Sequence, residues 1–588
     1  MIQQLSLFNL FPQSPIIRAE PEQTHCCGQQ LLVQKTEKKI IVTLSIGKMH
    51  VHETIKKCGS CRTIYAPEAT NQLVPQYCNF GFDGIVYVGK AVFQSHRTEN
   101  EVVAELQQQN VLISEREVSY LAKKFICYLA VAQQEKIPEI RELIENNGGS
   151  CLHFDGTNDG GSPHLIVAID EREKLVLGSI KAPSESSESV SNLLEQVKCD
   201  YGDPVALVHD MSKANLSAAQ SVFPGVADYV CHFHFLRDIG KDLFGYEEAQ
   251  IRSILQGEGI KGRLRALAAK LRGFFKGDQL QWRLGKKTQC LTPETFCYMG
   301  ETDIAYLLIE WIVDFTEELS GYGFPFDREK LVLIQRMQKV RNLIHALPAS
   351  RGYLQTLQGE LDGVLENPTL IKHATAMEKK AEHFDQLRKI LRIAEPEGLD
   401  GLNDDALKCD MTAMKAAVKK FINSREIQQK CIADLDYSKM VKQIKKYWNK
   451  LFTKPITVTT KVGQTVTILP QRTNNLMERF FREANRASRK RTGGKTLGHI
   501  LTTMLADTPL IKNLENKKYE KLILGGCNTL AERFAEIEAK EVREKLKQAS
   551  QREDKLHPAV KRLIKIPKLP DYLIGISSCP QRNQAACC

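Results

Sequence analysis

Two short apolar runs in this chain each end on an aspartate. The first is Ser150-Cys151-Leu152-His153-Phe154-Asp155, followed by Gly156-Thr157. The second is Val205-Ala206-Leu207-Val208-His209-Asp210. Both have the length and side-chain content of buried strands. Far downstream, Asn474-Asn475-Leu476-Met477-Glu478-Arg479-Phe480 reads as the start of a helix with an acid in its first turn. Only a fold that gathers distant elements at one edge lets three such carboxylates act together.

The elements around the aspartates supply such a fold. After Asn147-Gly148-Gly149 the order is strand (150–155), strand (164–170), strand (174–180), helix (186–201), strand (205–210), helix (212–222), strand (228–234). A three-strand meander followed by αβαβ is the order of an α/β RNase H-like core with a mixed five-stranded sheet. There the first and fourth strands are parallel neighbours. Asp155 and Asp210 then emerge at one sheet edge, at strand carboxyl ends, where α/β folds place ligands. Residues 238 to about 453 show helical period almost throughout, with examples at 303–319, 330–347, 375–393 and 410–423. This stretch leaves and re-enters the core as a large all-α insertion. A hairpin (456–460 and 464–469, turning at Val462-Gly463) and Pro470 precede the helix of Glu478. The expected domains are a zinc-ribbon-like module (1–85), a helical DNA-binding segment (86–148), the first part of the core (149–240), the insertion (241–454), the second part of the core (455–515) and a charged helical tail (516–588).

The N-terminal module carries the densest cysteine pattern. Strands at 31–42 and 49–55 lead to Cys58-Gly59-Ser60-Cys61, a knuckle of metal-binding form, and Cys26-Cys27-Gly28 lies upstream across the hairpin. Two knuckles at hairpin tips make a tetrahedral zinc site. The upstream half departs from Cys-x-x-Cys, because Thr24 stands where a cysteine would be. The expected set is Cys26, Cys27, Cys58 and Cys61, with His25, His50, His52 and Cys78 as other possible donors. Beyond it, Thr98 and Glu101, then Ser114 and Glu117, form capping boxes that open two helices. These read as a helix-turn-helix-like pair whose second member shows Arg116, Ser119, Lys123 and Lys124.

Each acid alone has a plainer reading: Asp155 an Asx-turn, Asp210 a helix N-cap, Asn475 to Glu478 a capping box. Together they match what phosphodiester chemistry needs. Two Mg²⁺ or Mn²⁺ ions activate the attacking oxygen and stabilise the leaving one, and such hard cations prefer carboxylate oxygens. Asp155 would bridge the ions, and Asp210 and Glu478 would each complete one. The surroundings favour a polyanion. Net charge is +11, and Arg479, Arg482, Arg486, Arg489, Lys490, Arg491 and Lys495 crowd the stretch after Glu478. Lys442, Lys445, Lys446, Tyr447, Trp448 and Lys450 mix base and ring late in the insertion. Trp448 there either stacks on an unpaired base or belongs to the core. No run approaches the roughly 20 apolar residues of a membrane helix. The N-terminal residues lack a secretory pattern, so reduced thiols are expected.

With Phe154-Asp155-Gly156-Thr157, Val208-His209-Asp210-Met211, Cys231-His232-Phe233-His234 and Asn474-Asn475-Leu476-Met477-Glu478-Arg479 in view, the chain resembles the DDE transposases of prokaryotic insertion sequences and Mutator-like elements. The likeness covers roughly 150–240 and 455–510. In those families a cysteine, two residues and a histidine follow the second aspartate, and an α-helical insertion precedes the glutamate. The resemblance implies a supporting site role for Cys231 and His234. It also implies double-stranded DNA as partner (terminal inverted repeats and target), 3′-end hydrolysis followed by strand transfer, a homodimer or larger synaptic assembly, and work on the nucleoid of a prokaryotic cytoplasm. The alternatives are a transposase-derived regulator without catalysis and a nuclease that cuts without joining.

Overall fold

The computed structural model describes residues 14–274, 300–347, 352–393, 410–461, 463–494, 496–552, 563, 566–567 and 569–570. They form a mixed α/β chain in two compact units. The first comprises Met1–Asn147, Asp155–Asp203 and Arg479–Cys588, and the second Gly148–Phe154 and Pro204–Glu478.

In the first unit, β1 (Ile16–Ala19) precedes a small hairpin of β2 (His25–Cys26) and β3 (Gln29–Gln30). Then β4 (Leu32–Thr43) and β5 (Gly47–Lys57) pair antiparallel, with Gly47 taking the left-handed φ of +84° at the turn. β1 pairs parallel with β5, and β6 (Ile64–Tyr65) pairs antiparallel with it. Met49, Val51 and Ile41 make the core of this sheet.

Four helices follow: Phe82–Phe93, Glu99–Gln108, Glu115–Glu135 and Ile137–Asn146. Thr98 and Glu101 form the full capping box, and the Ser114 hydroxyl accepts the Glu117 N–H. The helix Glu115–Glu135 is buried nearly continuously from Leu121 to Gln133, as a core helix must be when packed on several sides. Lys124 is itself buried and lies over the Tyr120 ring. Of the face expected to meet DNA, Arg116 is exposed and Ser119 and Lys123 are half-buried.

The second sheet has the spatial order β11-β10-β7-β8-β9. Its strands are β7 (Cys151–Thr157), β8 (His164–Asp170), β9 (Leu175–Ala182), β10 (Ala206–His209) and β11 (Ala227–Val230). The boundary between units falls inside β7, after Phe154. On the side of the first unit, β8 and β9 are antiparallel, with Asp170 accepting the Glu173 N–H in their turn. The segment 502–516 covers the outer edge of β9. Asn513 gives and takes hydrogen bonds with the Val176 backbone (2.9 and 2.7 Å), and Ser179 donates to the Ala506 carbonyl. This satisfies an edge that would otherwise pair with another chain.

The stretch 516–588, expected as a charged tail, departs from that reading where it is described. Tyr519 and Phe534 are fully buried, and Phe534 stacks on Tyr128 at 5.0 Å between ring centres. Most of its charges are exposed, but Arg533 is buried and its Nε donates to the Ile523 carbonyl at 3.0 Å.

In the second unit, β10 pairs parallel with both β7 and β11. Gly149, at φ +98°, lets Val205 close on the backbone, since a β-carbon there would lie 2.8 Å from Val205 Cγ1. The last strand ends sooner than expected. β11 stops at Val230, and Cys231 becomes the N-cap of the long helix His232–Glu258. Helices from there to Leu451 share one apolar core that includes Leu243, Ile309, Met337, Leu361, Phe384 and Ile444. Lys380 is buried among them, bonded to Glu247 (2.9 Å) and Asp436 (2.7 Å). The hairpin β12 (Ile456–Thr459) and β13 (Thr465–Ile468) is antiparallel, and the helix Asn475–Thr492 begins soon after. Val462, in the expected turn, lies outside the described residues.

Candidate metal centres

The cysteine cluster forms where two turns meet. Cys27 and Gly28 both take positive φ (50° and 73°), the geometry a two-residue hairpin turn requires between Cys26 and Gln29. In the other knuckle the left-handed residue is Arg62 (φ 62°), and its N–H donates to the Cys58 carbonyl. The four sulfurs of Cys26, Cys27, Cys58 and Cys61 lie within 4.8 Å of one another. Cys26 Sγ is 3.5 Å from Cys61 Sγ and 3.8 Å from Cys27 Sγ. Metal–thiolate bonds of about 2.3 Å set tetrahedral sulfurs about 3.8 Å apart, so this group could hold a metal ion. The Thr63 hydroxyl and N–H draw the Cys61 thiol down to about 6. Hydrogen bonds among the thiols, from Cys61 first, push Cys27 up to about 12. One ready thiolate among crowded sulfurs is a set that a cation stabilises. His25, His50, His52 and Cys78 are not part of the group.

The acids stand at the sheet edge. β7 and β10 run parallel with Val208 opposite His153. Asp155 lies within β7, which runs on to Thr157, and Asp210 directly follows the last residue of β10. In the first unit, Asp155 Oδ1 accepts the Gly156 N–H at 2.9 Å, and its carboxylate lies within 4.8 Å of that of Glu185. Glu185 occupies space that Gly156 leaves open, since a β-carbon there would meet Glu185 Oε2 at 2.5 Å. In the second unit, Asp210 Oδ1 accepts from Asn215 Nδ2 (2.7 Å) and from the Ser212 N–H (3.0 Å). The N-cap of the next helix is Ser212, so Asp210 is not spent on capping. Asp155 and Glu185 of the first unit, and Asp210 of the second, are hard carboxylate donors of the kind that hold a metal ion.

Glu478 was expected as the third acid. It lies in the first turn of Asn475–Thr492, with its Oε1 3.6 Å from His234 Nε2. Asn474 fixes the start of that helix. It is fully buried, accepts from His153 Nδ1 at 3.0 Å, and its own N–H donates to Cys231 Sγ at 3.1 Å. Cys231 therefore braces the backbone just before Glu478, while His234 faces the carboxylate. Behind Asp210, the buried His209 ring sits between the Asp210 carbonyl and Asp228 Oδ1 (2.8 Å), and Lys450 also bonds Asp228. Burial would raise the Asp228 carboxyl, but the His209 and Lys450 contacts outweigh it and hold the group below the usual range.

The basic residues after Glu478 form a helical stripe. Arg479, Arg482, Arg486, Arg489 and Lys490 are exposed, at spacings that share one face. Arg491 is half-buried and 3.7 Å from Glu99, and Lys495 lies outside the described residues. Trp448 is half-buried against Phe452, with Lys415 over its ring.

Sequence reasoning did not single out Glu185 or Asp228, and it gave Asn474 and Lys450 no contact with the acids. Glu185 stands in the serine-rich stretch 184–189, just before the helix Ser187–Tyr201, and looks like any solvated acid there. Only the missing side chain of Gly156 hints at what fills the space. No protein-family model matches this chain, and no curated protein matches it either. No helix among the described residues is long and apolar enough to cross a membrane.

Proposed function

We propose that the chain is a DNA transposase of an insertion sequence, a metal-dependent enzyme that cuts the 3′ ends of its element and joins them to target DNA. The observation that carries this reading is the pair of aspartates on neighbouring parallel strands, in a sheet whose strands in chain order stand 3-2-1-4-5, with a helical insertion before Glu478. That sheet is an RNase H-like core in this reading.

Asp155, Asp210 and Glu185 would hold Mg²⁺ or Mn²⁺, with Glu478 as a further ligand. All are hard oxygen donors, which fits the group. Bound there, the ions supply activation of the attacking oxygen and neutralise charge on the phosphate. Asn215 and the Ser212 N–H hold Asp210 by its Oδ1. His234 orients Glu478, and Asn474 with Cys231 sets where its helix begins. The stripe Arg479, Arg482, Arg486 and Arg489 would grip the DNA backbone. Cys26, Cys27, Cys58 and Cys61 would hold Zn²⁺, which ties the N-terminal module for recognition of the inverted repeats. The working form would be a homodimer or larger synaptic assembly on the nucleoid.

The test uses purified protein, labelled duplexes carrying the gene's own flanking ends, and Mg²⁺ or Mn²⁺. Metal-dependent nicking at the 3′ ends, lost in Asp155→Asn and Asp210→Asn but with end binding kept, is the expected result. Cleavage retained in both variants would sink the reading. Nicking without strand transfer would leave a nuclease, and binding without nicking a regulator.

A further inference from the structure

A second cavity of the first unit lies outside the metal centres. It encloses about 560 Å³ beside the inner face of the helix Asn475–Thr492. Its walls are mainly apolar: Phe93 and Ile126 from the N-terminal helices, Leu165 from β8, Phe480 and Phe481 from the basic helix, and Leu501 beyond it. A volume of roughly 300–1,000 Å³ with apolar walls and a few polar groups is the usual form of a small-molecule site.

The charge around it is one-sided. Lys123, Arg486, Lys490, Arg491 and Lys512 line it against Glu99, Glu483 and Glu515, and each acid has a base beside it: Glu99 lies 3.7 Å from Arg491, and Glu483 and Glu515 share Lys512 at 2.7 Å each. Arg486 and Lys490 are exposed. Among the described residues, no carboxylate lies within ion-pair distance of either. Burial first, and then the charges of Lys490 and Arg491, hold the His96 imidazole of the cavity wall below its ordinary range. A neutral apolar ligand would leave these cations unanswered, and a cationic one would be repelled.

We propose that this cavity binds an amphipathic organic anion, with its apolar body among Phe93, Ile126, Phe480 and Leu501 and its acidic head on Arg486 and Lys490. The occupant is a free single-chain carboxylate of the fatty-acid type. It would prop the helix that begins beside Glu478 and occupy cations that DNA phosphate would otherwise reach, so it is placed to restrain DNA binding. The binding itself does not rest on the transposase reading and is measured without DNA.

Calorimetric titration of the full chain uses dodecanoate, with dodecyltrimethylammonium as the same tail bearing the opposite charge, both kept below micelle formation. Expected are saturable 1:1 binding of dodecanoate and at least about tenfold weaker binding of the cation. Loss of the paired charges in Arg486→Ser/Lys490→Ser should weaken dodecanoate by about tenfold or more, the scale of one charge-assisted contact. Ser119→Trp, which fills the cavity from its half-buried rim, should abolish binding. Equal affinity for both head groups, absence of saturable binding, or unchanged affinity in a folded Ser119→Trp protein would overturn the proposal. Should a variant fail to fold, the head-group comparison on the unaltered chain decides alone.

Discussion

Gly156 has no β-carbon, and Glu185 fills that space beside Asp155. Gly156→Ala should push the Glu185 carboxylate aside with little change in stability. We expect Mn²⁺ affinity to fall about tenfold or more, read by titration calorimetry, while thermal unfolding stays within a few degrees. Unaltered metal affinity would remove Glu185 from the site. His232 offers a different test. Burial, then the nearby Arg472 charge, pulls its imidazole down to about 3, while in the unfolded chain it titrates near 6.5. Between those values the unfolded state holds the extra proton, so stability is complete above about pH 6.5 and is lost as pH falls toward 3. The slope from this one group approaches ~1.4 kcal/mol per pH unit. His232→Gln should flatten the acid limb of a urea-unfolding series by that amount. At this scale the strands that carry the two aspartates were legible as short apolar runs, although β7 continues past Asp155 to Thr157. Glu185 was not, because its role depends on a space rather than on a pattern.

Elements were read more reliably than their neighbours. The helices Glu99–Gln108 and Glu115–Glu135 begin where their Thr98 and Ser114 caps put them. What packs on them was hidden, since capping is local and burial is not. Phe534 illustrates this: it looks like part of a charged tail, yet its ring stacks on Tyr128 and lies edge-on to Phe125. Phe534→Ala should cost about 3–5 kcal/mol, by loss of transfer energy and opening of a cavity. A solvated tail would lose under about 0.5 kcal/mol, so denaturant unfolding separates the two. In the helical insertion, Lys380→Ala would strand Glu247 and Asp436 in the interior, at a cost of about 3–5 kcal/mol. Lys380→Met paired with Glu247→Leu should be milder, since the carboxylates it leaves without their base, Asp434 and Asp436, are partly exposed to water.

For the whole molecule, the net charge of +11 and the stripe on Asn475–Thr492 bear on how DNA would be held under the proposed function. If Arg482 and Arg489 each meet a phosphate, replacing both by serine should lower the slope of log K against log salt by about 2. A weakened affinity with an unchanged slope would assign those arginines elsewhere. Chelation should act at the other metal centre. If Cys26, Cys27, Cys58 and Cys61 hold zinc, a chelator should release it and loosen the β4–β5 module, visible as faster amide exchange there, with the helical core of the second unit unchanged. The sequence by itself determined the strands and helices, the aspartates near strand ends, the helical insertion and the cysteine knuckles, because these follow from local periodicity, caps and turn residues. Only the tertiary structure decided that Cys26 joins the cysteine group while His25 does not, that Cys231 starts a helix and braces Asn474, and that Glu185 stands by Asp155. Those outcomes depend on which distant side chains compete for one small space, and no local pattern of residues encodes that.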